Sequence, residues 1–213
     1  METIRNYIFP FGLKKAVYAF AAAFVFGLLD LEVLAFLSFG LALFFLFAYR
    51  NPSRISADIA DSGICAPVDG KIVAIEDISE GSYGFKLTVE SSCLQSGVLY
   101  APFEAEKVSF SLRRGARLAK ESHLFDSLGE RLEVVFESGG KSVRAVHTLK
   151  RSPLRIELLA KEKEPQKCGE IYGFAYDAVS VLYLPREFRF NVHVGQRVYA
   201  SQNILGYFTN QRP

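Results

Sequence analysis

Two uncharged apolar stretches open the chain, and short alternating runs fill most of the rest. Residues 16–29 read AVYAFAAAFVFGLL and residues 33–48 read VLAFLSFGLALFFLFA, with Asp30 and Glu32 between them. A comfortable bilayer span takes about 20 apolar residues, which neither run reaches alone. Broken by an acidic turn, the two predict a tight transmembrane helical hairpin, or one span plus an interfacial helix. Arg5, Lys14 and Lys15 precede the first run, and Arg50 and Arg54 follow the second. Cations gather on the cytoplasmic side of membrane segments, so both ends of the hairpin are expected in the cytoplasm. The apolar material is too long for the core of a cleaved signal peptide, and no A-x-A-like site follows it.

Beyond residue 54 the period changes to two. KIVAIEDI (71–78), GFKLTVE (84–90), RLEVVFE (131–137) and KSVRAVHTL (141–149) alternate apolar and polar residues. Such runs, bounded by Gly, Ser and Asp, predict half-buried strands. The SGG between the last two predicts a hairpin. FAYDAVSVLYLP (174–185) reads as strand formers around an Asp-Ala pair, and NVHV (191–194) as a strand; 104–110 and 120–128 read as short helices or loops. The expected fold is mainly β (α+β). A lipoyl-like barrel-sandwich β domain over 55–213 follows a membrane hairpin and exit segment over 1–54. The turns in ICAPVDGKIVAI (64–75) and NVHVGQRVYASQNILGYF (191–208) resemble those that close lipoyl sandwiches. A carrier domain would hold a lysine at the tip, where this chain has Val68-Asp69-Gly70, so a swinging arm is not expected.

Composition narrows the partners. The 213 residues are 50% hydrophobic and carry a net charge of only +2, which makes no electrostatic case for nucleic acid. Cys65, Cys93 and Cys168 are odd in number and lack CxxC spacing. They are expected to be small buried residues in a reducing compartment, with no disulfide framework and no metal site.

The order of segments carries a resemblance. FAYRNPSR (47–54), CAPVDGKIVAIE (65–76), GERLEVVFESGGKSVRAV (129–146) and VLYLPREFRFNVHVGQRVYASQNILGYF (181–208) follow the hydrophobic hairpin. This order resembles the short, bacterial and archaeal type of phosphatidylserine decarboxylase, over about 16–208. Tyr49-Arg50-Asn51-Pro52-Ser53-Arg54 matches an aromatic-Arg-Asp-Pro-x-Arg exit segment with Asn for Asp. Ala66-Pro67-Val68-Asp69-Gly70 matches a Ser-Pro-Ala-Asp-Gly turn. Tyr183-Leu184-Pro185 and Val194-Gly195-Gln196-Arg197-Val198 match the tail. The resemblance implies a membrane of a bacterial or archaeal cell and phosphatidylserine as the lipid. It also implies a reaction in which a Gly-Ser bond cuts itself and the serine becomes a pyruvoyl group. That group draws electrons from the substrate as carbon dioxide leaves. Self-cutting calls for a serine, a histidine base and an aspartate that orients it.

Three positions decide what the resemblance can carry. Counted back from Tyr183-Leu184-Pro185, the Gly-Ser pair falls on Asp177-Ala178. Alanine has no oxygen with which to attack a carbonyl or become a ketone. Ser180 is the nearest alternative nucleophile; it lies two residues on, hence on the same strand face. In APFEAEKVSF (101–110), Glu104 stands at the family's Asp and Glu106 at its His. An unperturbed glutamate pKa of about 4.3 is low for a base at neutral pH. Asp69 keeps the aspartate position. His123, His147 and His193 are expected to be packing or surface residues. The sequence therefore predicts a phosphatidylserine decarboxylase-related membrane protein linked to phospholipid biosynthesis that does not process itself. Its cofactor would be none, or a pyruvoyl group only if it is cut. Arg50, Arg54, Arg113, Arg114 and Arg117 are candidates for lipid headgroups. Its partners would be membrane phospholipid and a second copy or an active paralogue. The alternatives are an active, divergent enzyme using Ser180, and a lipoyl-like adaptor of a membrane transport complex.

Overall fold

Period-two alternation becomes sheet wherever the sequence carries it. The computed structural model describes residues 8–52, 54, 63–161 and 164–209, and the chain divides into two units, Met1–Ser53 and Arg54–Pro213. Arg5, one of the cations used to orient the hairpin, lies outside the described residues.

The first unit holds helices α1 (Pro10–Leu28) and α2 (Glu32–Ala48). Pro10 starts α1 because its missing N–H would be an orphan of the first turn in any case. Asp30, in the left-handed region at φ 54°, lies in the short link between them. The two helices pack on each other, with Phe20 and Phe39 meeting edge to face at 5.6 Å. Their polarity of burial is inside out. The buried residues of α1 are Gly12, Ala16 and Ala19, and those of α2 are Ala42 and Ala48. The large side chains point outward, with Phe24 69% and Phe36 77% exposed. Small residues are thus the buried ones in this pair, and large apolar ones lie outside. By length and composition α1 is long and apolar enough to cross a membrane; α2, at 17 residues, is shorter.

The second unit is β, as the alternation predicts. Its strands are β1 (Gly63–Cys65), β2 (Gly70–Glu80), β3 (Tyr83–Glu90), β4 (Val98–Tyr100), β5 (Lys107–Arg113), β6 (Arg131–Ser138) and β7 (Lys141–Leu149). They continue as β8 (Glu157–Leu158), β9 (Ile171–Phe174), β10 (Ala178–Pro185), β11 (Phe188–Phe190), β12 (Arg197–Val198) and β13 (Ile204–Phe208). The main sheet runs β12-β2-β3-β10-β7-β6-β5, and all its pairs are antiparallel. Two smaller sheets run β1-β13-β11 and β4-β9-β8.

The predicted hairpin is β6–β7, and Gly139 and Gly140 turn it with φ of 53° and 76°. Two successive left-handed residues match the twist of the flanking strands, and glycine adopts them without strain. Alternate residues of the ladder point into one core: Leu132, Val134 and Phe136 from β6, and Val143 and Ala145 from β7. Phe136 meets Tyr172 at 5.4 Å and Phe103 at 6.4 Å, and Phe103 meets Phe208 at 5.8 Å.

Three local readings of secondary structure change and one holds. Most of 104–110 is strand rather than helix or loop, because Val108 and Phe110 alternate and β6 offers its edge. The one that holds is 120–128, where the expected short helix forms as the single turn α3 (Phe125–Leu128). The run 174–185 is broken: β9 ends at Phe174, β10 starts at Ala178, and Asp177 between them has φ 54°. NVHV is not a strand; Val194 and Gly195 form a turn. Of the three cysteines, Cys65 is buried as expected, Cys168 is half-buried and Cys93 is exposed.

Candidate functional site

The main sheet has two ends, and the sequence-selected residues divide between them. Ala178, the first residue of β10, pairs with Leu149, the last of β7. Asp69 is at the same end. Ser91 links the two, since its N–H donates to the Ala178 carbonyl at 2.9 Å and its hydroxyl donates to the Asp69 carbonyl. Glu106 is elsewhere. Its N–H donates to the carbonyl of Glu137, and Glu137 pairs with Ser142, near the start of β7. From Ser142 to Leu149 the strand advances by about 24 Å at ~3.4 Å per residue. Glu106 and Glu104 line a separate cavity of about 450 Å³ with Phe103, Lys141 and Cys168. The fold therefore brings Asp69 to Ala178 and does not bring Glu106 there.

Asp177, which the gap-free count places at the family's glycine, has a left-handed backbone of the kind glycine adopts freely. That conformation supports the gap-free register that puts Ala178 at the serine. Lys150 holds the turn. Its ammonium lies 3.0 Å from the Asp177 carboxylate and 3.1 Å from Glu90, and donates to the Ser91 carbonyl at 2.8 Å. Burial pulls the Lys150 pKa down, but its bonds to Asp177 and Glu90 outweigh this and raise it. Burial pushes the Glu90 carboxyl up, and the Lys120 and Lys150 ammonium groups more than reverse it, leaving it lowered. Ala178 itself is 1% exposed and offers only a methyl group.

Asp69 is also engaged. Its carboxylate lies 2.5 Å from Arg54 Nη2 and accepts the Ala200 N–H at 2.8 Å, while Arg54 donates to the Ala200 carbonyl. Both side chains are almost fully buried, at 6% and 7% exposure. Asp69 is thus the counter-ion of Arg54, and Arg54, a headgroup candidate by sequence, is turned inward onto it.

Ser180 meets a partner that sequence reasoning missed. It pairs across the ladder with His147, and its Oγ is 2.8 Å from His147 Nδ1. His147 Nε2 is 2.6 Å from the Tyr172 hydroxyl. All three residues have zero exposure. Burial drives the His147 pKa down to about 3, so the ring is neutral, and burial pushes the Tyr172 phenol up. A neutral imidazole donates through one nitrogen and accepts at the other. Phenol is a far stronger acid than an aliphatic alcohol, which favours Tyr172 donating to Nε2 and Nδ1–H donating to Ser180. In that tautomer His147 presents a proton to the serine, not a lone pair. Val179 and Ser180 are also paired on both sides, with β3 and β7. Ser180→Ala is expected to leave a buried N–H without an acceptor and to cost about 1–3 kcal/mol, read by chemical denaturation.

Of the remaining arginine candidates, Arg113 ends β5, and Arg114 and Arg117 lie on the loop after it. Arg114 and Arg117 both pair with the buried Glu130, at 2.5 and 3.3 Å, and Arg113 donates to the carbonyls of Asp126 and Gly129. Arg50, in the first unit, stacks on Phe47 at 4.2 Å. No group of three or more His, Cys, Asp or Glu side chains suited to a metal occurs among the described residues.

The comparisons with known proteins agree with the order of segments. A phosphatidylserine decarboxylase proenzyme from Burkholderia mallei (strain SAVP1) is 29% identical over 204 residues, 93% of this chain and 88% of that protein. Proteins of the same name from Syntrophotalea carbinolica and Burkholderia ambifaria are each 29% identical, over 86% and 91% of this chain and 88% and 86% of their own lengths. No solved structure matches. The family model described as phosphatidylserine decarboxylase matches residues 41–206, which takes in the last turns of α2, the Asp69 turn, the β6–β7 hairpin and the Asp177-Ala178 junction. By that match over most of its length, the chain belongs to the phosphatidylserine decarboxylase family.

Proposed function

We propose that this chain is a membrane-attached, non-processing member of its family, which serves phospholipid biosynthesis as a lipid-binding protein or as the partner of an active paralogue. The observation that carries this reading is Ala178. The family's chemistry implies a serine that attacks the carbonyl before it and becomes a pyruvoyl group, and a methyl side chain can do neither. The residues around the junction do not fit such a group: Asp177 replaces the glycine, and Glu106 lies at the other end of the sheet. Lipid attachment is supported by the outward-facing Phe and Leu side chains of α1 and α2.

The purified chain is expected to run intact at its full mass of 23.8 kDa and to fractionate with membranes. Two fragments meeting near residue 178 or 180, one with a carbonyl-blocked N-terminus, would overturn the reading. Restoration of phosphatidylethanolamine by this chain alone in a strain lacking the decarboxylase would do the same.

A second reading, an active enzyme cut at Ser180, rests on the 2.8 Å approach of His147. The favoured tautomer and the two-sided strand pairing of Val179 weigh against it. The site of any cut, before 178 or before 180, separates this reading from simple processing at the family position.

A further inference from the structure

The loop between β5 and β6 and the loop after β7 meet at the Leu149 end of the main sheet. Arg114 donates to the Ile156 carbonyl at 2.9 Å and Arg117 to the Ser152 carbonyl at 3.1 Å, which ties the two loops together. Residues 111–131 and 150–156 hold eight Lys and Arg against three Asp and Glu. Their net charge is +5 in a chain whose total is +2, so the rest of the molecule is net acidic. One of the three acids, Glu130, is buried beneath Arg114 and Arg117, whereas Arg113, Arg151 and Arg155 are exposed.

Exposed apolar residues are interspersed with these cations along the chain. Leu112, Leu124 and Leu128 are exposed, Leu128 by 53%. Leu124 and Leu128 flank the single turn of α3, anchored underneath by the buried Phe125. The Gly115 Cα lies against the Leu128 carbonyl, leaving no room for a Cβ, so α3 is held on the basic loop. Exposed leucines on joined, arginine-rich loops fit an interface that is apolar a few ångströms deep and anionic at its surface. The patch is also at the Ala178 end of the sheet, where Arg131 and Ala178 pair with the adjacent Thr148 and Leu149.

We propose that this patch is a membrane-facing surface of the β unit that seats on an anionic phospholipid bilayer. Leu124 and Leu128 enter the headgroup boundary, and Arg113, Arg151 and Arg155 meet lipid phosphates. The proposal rests on the membrane attachment argued under the proposed function. It adds which face of the β unit touches lipid, and which lipid charge it selects.

The chain contains no tryptophan, so a single introduced one reports its own surroundings. Leu128→Trp places it in the patch. Ser82→Trp places it on the exposed turn between β2 and β3, at the opposite end of the sheet. Each full-length variant is reconstituted into vesicles of phosphatidylcholine, with or without phosphatidylglycerol, containing a lipid brominated on its acyl chain. With phosphatidylglycerol present, Leu128→Trp emission is expected to shift to the blue and to be quenched about twofold more than Ser82→Trp. The difference should fade in phosphatidylcholine alone and in high salt. Adding Arg151→Gln and Arg155→Gln to Leu128→Trp should weaken the quenching while the far-ultraviolet circular dichroism stays unchanged.

Equal, water-like emission from both tryptophans on chains that float with anionic vesicles would overturn the patch and leave the helical attachment standing. That outcome would point to a protein or another polyanion as the occupant. Chains that do not float at all would overturn the attachment and the patch together. Equal quenching in neutral and anionic vesicles would overturn the selection for charge.

Discussion

Between pH 6 and about pH 3 the β unit is expected to lose about 1.4 kcal/mol of stability per pH unit through His147. The ring is fully buried, and its folded pKa is about 3 against 6.5 for the free side chain. Below pH 6.5 the unfolded chain binds a proton that the folded chain refuses. The unfolded state is therefore favoured increasingly until the folded ring also titrates near 3. Above pH 7 the ring is neutral in both states and contributes no slope. Across that window the loss is at most about 4 kcal/mol, a large share of the stability of a modest domain. Urea titrations of the full chain in detergent, at pH 7, 6, 5 and 4, read the slope by near-ultraviolet circular dichroism. His147→Gln keeps a polar side chain between Ser180 and Tyr172 and removes the titration, so most of the slope should vanish. An unchanged slope in the variant would assign acid sensitivity to carboxylates such as Glu90, whose lowered pKa acts in the same direction.

Asp69→Ala is expected to cost about 3–5 kcal/mol, because it strands the Arg54 guanidinium in the interior. The pair is nearly buried, and the lost carboxylate is also the acceptor for the Ala200 N–H. Asp69→Asn should lose the charge and keep an oxygen for Ala200, which separates the ion pair from the backbone bond. Adding Arg54→Leu to Asp69→Asn should recover part of the loss, since removing both charges is cheaper than orphaning one. Thermal unfolding of the four proteins in the same detergent checks the cycle. If Asp69→Ala unfolds like the parent, the ion pair is not a structural element, and the family role of this aspartate returns as its explanation.

Taken together, these predictions treat the inherited polar positions as parts of the fold. Asp69 secures Arg54, and Ser180 and His147 satisfy each other in the interior. Lys150 secures the left-handed Asp177, a backbone conformation that glycine adopts without strain. None of these contacts requires a cut chain. That agrees with the non-processing reading proposed for this chain.

Much of this was legible in the order of residues alone. The two apolar runs become α1 and α2, and the four alternating runs become β2, β3, β6 and β7, because local periodicity dictates which face of an element is buried. The missing hydroxyl at residue 178 is a fact of composition at one position and needs no fold to be read. What the tertiary structure alone decided is which residues meet. Alternation puts His147 and Ser180 on given faces, yet 33 residues separate them, and only the β7–β10 register sets them opposite each other. The same register puts Glu106 at the far end of β7, and the packing around Ala200 turns Arg54 inward onto Asp69. A strand's own sequence determines its pleat; its partner and offset come from the packing of the whole core, which no single stretch encodes.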